Sequence, residues 1–384
     1  MMMVRRLSAV DAQMHWMSAK IPNDQFLLYG FAGVPSDLQR VLTSIRRRAR
    51  DCAELRLRVE ERSALTYPAW ATGDVEPDQF VVHDLADNSW AACLAAVAGL
   101  ADRQLDAARM TWRLHVFSPV DGLPGAGVGT VAVMQATHAF GDGTRSSALG
   151  AWLLGRAGPV PAVPAPPLFR GAALPWLSFL AARAHRRLVS DTDAGLVPPQ
   201  ADLRPALHSN ARPDRVCSIR TVIRNRAQLR GPTVTVGVLA SVSTALSAHL
   251  RELGDDPSTL GAEVPMAKAG VRQAHNHFGN VGVGLYPDVG IDARTARIAD
   301  DLAQRRRRAA HPAMLASSRA FSAVPAPLLR WGVKQFDPTV RSPTVTGNTV
   351  VSSVNRGPAD LRFGELPVVL TAGYPGLSPM MGLT

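Results

Sequence analysis

Apolar and polar positions alternate along this chain with two distinct periods, and the switches between them mark the elements. Residues 25–33 form an almost uncharged run that predicts a buried strand, and 36–50 change to the helical period as a basic amphipathic helix. Residues 79–85 predict another strand and 90–104 an alanine-rich helix. Residues 112–118 and 129–138 predict two strands joined by a loop rich in glycine and proline. Ser8-Ala9-Val10-Asp11 has the form of a capping box before a short helix, and a further helix is expected to begin near Asp142.

Six prolines between Pro159 and Pro175 interrupt the periodicity and predict a stiff linker. A tryptophan-bearing helix over 176–189 follows, then an irregular stretch to about residue 213. The mixed pattern then returns. Strands are expected over 215–223, 262–268, 280–286, 348–355 and 366–372, and helices over 233–252, 294–310 and 315–336, the last broken near Pro325 and Pro327. The stretch 232–249 lacks charge but carries many serines and threonines, which predicts a buried helix rather than a membrane span.

The 384 residues suffice for two domains, and 46% hydrophobic content fits a globular chain. The expected division is an N-terminal domain over 1–156, a linker and connecting helix over 157–213, and a C-terminal domain over 214–384. A net charge of +11 rests almost wholly on arginine, since Lys20, Lys268 and Lys334 are the only lysines. Such a balance favours anionic partners. The arginine runs 46–48 and 305–308 lack interleaved aromatics, which argues against nucleic acid. They read as solvated helix faces, or as a phosphate contact. Cys52, Cys93 and Cys217 have neither zinc nor disulfide spacing, and the Met-Met-Met-Val-Arg-Arg start has no apolar core. Both features predict a cytoplasmic protein. His275-Asn276-His277 reads as a polar loop rather than a metal site, and no metal is expected.

The chemistry concentrates in residues 130–143. A strand-like run delivers His138 to its end, and Asp142-Gly143 follow. An imidazole so placed can deprotonate a hydroxyl or amine that attacks an activated carbonyl. Asp142 lies one helical turn on. It either orients the histidine or pairs with an arginine to hold the loop.

His138-x-x-x-Asp142-Gly143 resembles the His-His-x-x-x-Asp-Gly motif of the bacterial wax ester synthase/diacylglycerol acyltransferase family, within the chloramphenicol acetyltransferase-like superfamily of coenzyme A-dependent acyltransferases. Thr137 replaces the first histidine. Leu7-Ser8-Ala9-Val10-Asp11-Ala12, the segment from Leu105 to Arg113, Phe278-Gly279-Asn280 and the segment from Ser352 to Pro358 resemble further family motifs, in order. The family's Asn-Asp pair falls at Thr235-Val236, so that motif is lost.

The resemblance implies an α/β fold of two chloramphenicol acetyltransferase-like domains, each a mixed sheet with helices, with an active-site tunnel between them. His138 is then the general base, Asp142 structural, and Gly143 part of the motif. Ser352, Ser353 and backbone N–H groups near Asn280 are candidate substrate-binding or oxyanion donors. Acyl-coenzyme A is the implied co-substrate, with no bound cofactor, and a lipid alcohol the acceptor. The helices carrying Trp176 and Trp331 either meet a lipid surface at the inner membrane face or a lipid droplet, or pack against the other domain. Family members continue beyond Thr384 through another strand and a closing helix, so the C-terminal domain is expected to be incomplete. The loss at Thr235-Val236 and the chain end leave a rival reading, a catalytically silent homologue that binds lipid or protein.

Overall fold

The computed structural model describes residues 5–156, 158–166, 170–212 and 217–382. Its largest sheet has six strands in the order 362–363, 366–375, 25–32, 127–136, 112–123 and 80–83. Only the outermost pair, Phe80–His83 with Trp112–Leu123, is parallel. Gln25–Ala32 has partners on both sides and is buried on both faces, which explains its nearly continuous apolar sequence. Leu27, Tyr29 and Phe31 point to a core shared with helices Leu38–Asp51 and Gly143–Leu153. Phe26 and Leu28 point to the opposite core, under helix Trp90–Ala98.

A small sheet of Arg5–Arg6, Ala69–Thr72 and Leu57–Glu60 packs with helix Ala9–Met17 and helix Ala326–Gln335 in a third core. The second half builds its own sheet from Phe278–Gly284, Gly261–Ala267 and Thr349–Val350. Helices Val234–Glu252 and Ile291–Ala309 cover it. Val234–Glu252 has the length and hydropathy of a membrane span, but Val236, Leu239, Ala240, Leu246 and Leu250 are packed in this core. Helix Leu174–Asp193 packs on helix Pro312–Ser322 and leaves Trp176 and Phe179 exposed, stacked on each other at 5.7 Å.

Four expectations change. Strand Leu366–Pro375 hydrogen-bonds to Gln25–Ala32, so it completes the sheet of the first half instead of the second. The strand expected over 348–355 shrinks to Thr349–Val350, because the chain leaves Gly261–Ala267 after Val351 donates to Glu263 O. Of the strand expected over 215–223, residues 215 and 216 lie outside the described residues and 217–223 form no ladder. There Ile219 packs on the first-half core and Thr221 bonds Tyr374, while Val222 and Ile223 face solvent. The helix expected over 90–104 becomes a 3-10 turn from Gly99, which the lower helix propensity of glycine favours.

A buried polar chain crosses the first sheet. Leu105 N–H and Gln135 Nε2 both donate to Asp24, at 2.9 and 2.7 Å. Because the Gln135 amide nitrogen is used there, its oxygen accepts from His115 Nε2 at 3.0 Å. His115 Nδ1 then accepts from His83 Nε2 at 2.9 Å. Burial pushes the His115 pKa down to about 4. The unfolded chain takes up that proton near pH 6.5. Between these values the unfolded state binds more protons, so stability falls on acidification from about pH 6.5 to 4, by about 3 kcal/mol. Urea midpoints should drop across this window, and His115→Gln should flatten the profile. An unchanged slope in the variant would exclude His115 as its source.

Candidate active site around His138

Strand Gly127–Ala136 ends against Trp112, and Thr137 N–H donates to Thr111 O. The chain then makes one 3-10 turn, His138–Phe140, and enters helix Gly143–Leu153. Asp142 is that helix's N-cap and accepts from Arg145 N at 3.0 Å. Arg145 is buried, donates to Phe140 O and Pro161 O, and pairs with Glu54. The turn carrying the histidine is therefore fixed from both ends.

The opposite wall is the segment 272–278 of the second half. Arg272 forms a bidentate pair with Asp142, with contacts of 2.8 and 3.3 Å. His277 N donates to Asp142 at 2.9 Å, and Asp142 N donates to His275 O at 3.2 Å. Asp142 thus links the 272–277 loop to the helix end. Gly143 is its first helical residue, and a Cβ there would sit 3.0 Å from Val354. Val354 therefore passes close over this helix N-terminus.

Sequence reasoning missed Asn276 and Asp11. Asn276 is 1% exposed, and its side-chain oxygen lies 3.0 Å from His138 Nδ1. Its amide nitrogen donates to His138 O at 2.8 Å and to Asp11 at 3.0 Å. Both neighbours of that nitrogen are acceptors, which fixes the amide orientation. Asp11 is also 1% exposed and accepts from His275 N, Asn276 N and Ser8 Oγ, at 3.0, 2.9 and 2.8 Å. Ser8 does cap its helix, but the Asp11 carboxylate turns to the 275–276 backbone across the molecule. Burial raises the pKa of Asp11, against the pull of these hydrogen bonds.

His138 is half-buried and stacks on Phe278 at 5.8 Å. Burial pushes its pKa below the ordinary histidine value. Hydrogen bonds to its own carbonyl and to Asn276, and the Asp142 charge, pull the other way. His275 is buried and stacked on Trp70, with Nδ1 donating to Phe140 O and Nε2 accepting from Arg5. Its ring is committed to holding the turn. Asn280 stands in the second-half sheet, exposed, its amide donating to Glu263 at 2.9 Å, and none of its hydrogen bonds reaches His138. Ser352 and Ser353 are exposed.

A groove of about 410 Å³ opens where Thr349–Val350 parts from Gly261–Ala267. Its lining includes Thr235, Pro265, Met266, Leu302, Arg306 and Ser353, and His138 is not part of it. Thr235, at the position of the missing family motif, is thus a groove residue.

No family model and no curated protein matches the sequence. Solved structures do match its fold. The wax ester synthase/diacylglycerol acyltransferase from Marinobacter aquaeolei VT8 aligns with a TM-score of 0.57 at 16% identity, over 98% of this chain and 88% of that one. The chain shares the fold of that structure. A starter condensation domain of rhizomide synthetase RzmA in complex with C8-CoA aligns with a TM-score of 0.53 at 13% identity, over 97% and 83%. The same domain with C8-CoA and Leu-SNAC gives the same values. The mixed α/β architecture expected from sequence is the one observed.

The Asp142–Arg272 pair is nearly buried, with side chains 9% and 15% exposed. Asp142→Ala leaves the guanidinium unpaired and removes the helix cap, so it should cost about 3–5 kcal/mol in urea denaturation. Adding Arg272→Met should recover part of that loss, and strictly additive losses would contradict the pairing.

Proposed function

We propose that this chain is an acyltransferase that moves an acyl group from acyl-coenzyme A to a hydroxyl acceptor such as a diacylglycerol or fatty alcohol. The observation that carries the reading is the His138 ring, whose Nδ1 faces an oxygen and whose pKa is held low. Its Nε2 is then a neutral base at physiological pH. The shared fold with a condensation domain solved in complex with C8-CoA supports the donor.

In this mechanism the acceptor hydroxyl gives its proton to Nε2 as its oxygen attacks the thioester carbonyl. The resulting imidazolium returns the proton to the departing thiolate, so the base is regenerated. A thioester is already activated, and the step needs no metal. Of the two candidate serines, Ser353 lines the groove and so is assigned to contact with the bound donor. Arg306 on the groove rim supplies a cation for the donor's phosphates. Trp176 and Phe179 beside Arg183 and Arg186, and Leu328 and Trp331 beside Lys334, are exposed surfaces suited to a lipid interface.

Thiol release from palmitoyl-coenzyme A with a panel of alcohols tests the reading. His138→Ala should lose about 10²–10⁴-fold in kcat. Equal rates would remove the histidine from the reaction, and saturable acyl-coenzyme A binding without turnover in the native chain would assign a binding role instead. The base works deprotonated, so a lowered pKa should place the acid limb of kcat/KM below about pH 6.5. Arg306→Ala should raise KM for acyl-coenzyme A and leave KM for the alcohol unchanged.

A further inference from the structure

We infer that Asn276 is the positioning residue of His138 and that Asp11 fixes it in that role. Resting on the acyl-transfer reading above, the inference adds two residues that set which ring nitrogen is the base.

The argument is one of donors and acceptors. Asp11 carries only acceptors while ionised, and its oxygens are already committed to the N–H groups of His275 and Asn276 and to the Ser8 hydroxyl. An amide oxygen turned toward it would face a carboxylate, so the Asn276 nitrogen must point there. The same nitrogen meets the His138 carbonyl, a second acceptor. Both contacts reject the flipped amide. The Asn276 oxygen is left facing Nδ1, which must carry the hydrogen to avoid two opposed lone pairs. The second-half loop thereby selects the Nδ1–H tautomer of a histidine on the first half, across a sequence separation of 138 residues.

Asp11 acts one amide away from the ring. It supplies orientation to the imidazole without placing a full charge against it. This differs from a direct carboxylate–imidazole pair, which raises the pKa of the ring.

Two measurements test the assignment. Long-range proton–nitrogen NMR on histidine-labelled protein, with His138 assigned from His138→Gln, reads the tautomer without turnover. The native chain should show a pyrrole-like Nδ1 and a pyridine-like Nε2 at His138, and Asn276→Ala should give a mixture. In steady-state assays Asn276→Ala should lower kcat about tenfold with KM for acyl-coenzyme A within twofold. Asn276→Asp keeps an acceptor on Nδ1 but sets its second oxygen against Asp11 and the His138 carbonyl, so it should shift the acid limb of kcat/KM upward while recovering only part of kcat. Loss of both activities to the same degree, with no shift of the limb, would mark a purely structural residue and overturn the inference. A native Nε2–H tautomer would overturn it as well. The expected tautomer together with no turnover in the native chain would leave the positioning intact and reject the acyl-transfer reading instead.

Discussion

The buried Asp11 carboxylate is the constraint on which the site depends. It lies where helix Ala9–Met17, the 138–140 turn and the 272–278 segment converge, and it binds the backbone of the last of these at two consecutive N–H groups. Burying a carboxylate is costly unless its lone pairs are satisfied. The chain satisfies them with groups from both halves, so neither half completes the site alone. Arg272 with Asp142, and His275 between Phe140 and Arg5, repeat the arrangement on either side. The seam between the halves is therefore polar where it meets the histidine. Polar contacts fix angles as well as distances, which suits a base that must aim one lone pair.

The sheet topology supports this seam from the rear. Strand Leu366–Pro375 crosses back to pair with Gln25–Ala32 and is built into the first-half sheet. Gly143, on the helix that starts at the site, has Val354 of the crossing segment directly above it. Between its departure from the second-half sheet at Val351 and its entry into the first-half sheet, the chain passes the helix N-terminus beside His138. The groove opens where this departure leaves the edge of Gly261–Ala267 without a partner strand, so one rerouting creates both the gap and its Ser353 wall.

Much of this was legible in local pattern. The strands of the first half announce themselves because apolar runs bounded by turn residues have one main interpretation. Asp142 is recognisable as an N-cap from a carboxylate placed ahead of a helical period. His138 follows from the strand that delivers it. The unreadable parts share one cause, which is distance along the chain. Asp11 and Asn276 are 265 residues apart, and no spacing rule links them. His275-Asn276-His277 looks like an ordinary polar loop, and only three dimensions show that its first two members are buried. The local pattern predicts a strand over 366–372 but carries no information on which sheet it joins. Residues 217–223 failed in the opposite way, with an acceptable alternation and no edge to pair with.

On the proposed acyl transfer, the environment of His138 would reconcile two opposing demands. A general base must be neutral before the reaction and must tolerate a positive charge during it. Burial secures the first by disfavouring the imidazolium in the resting site. The second needs oriented dipoles that strengthen when the charge appears, and the Asn276 oxygen is such a group on the Nδ1 side. A carboxylate in direct contact would serve the second demand at the expense of the first, because it would hold the proton after transfer. Interposing an amide between Asp11 and the ring weakens the field while keeping the geometry. On the proposed acyl transfer, the leaving thiolate would then compete for the proton, as a turnover that ends in thiol release requires.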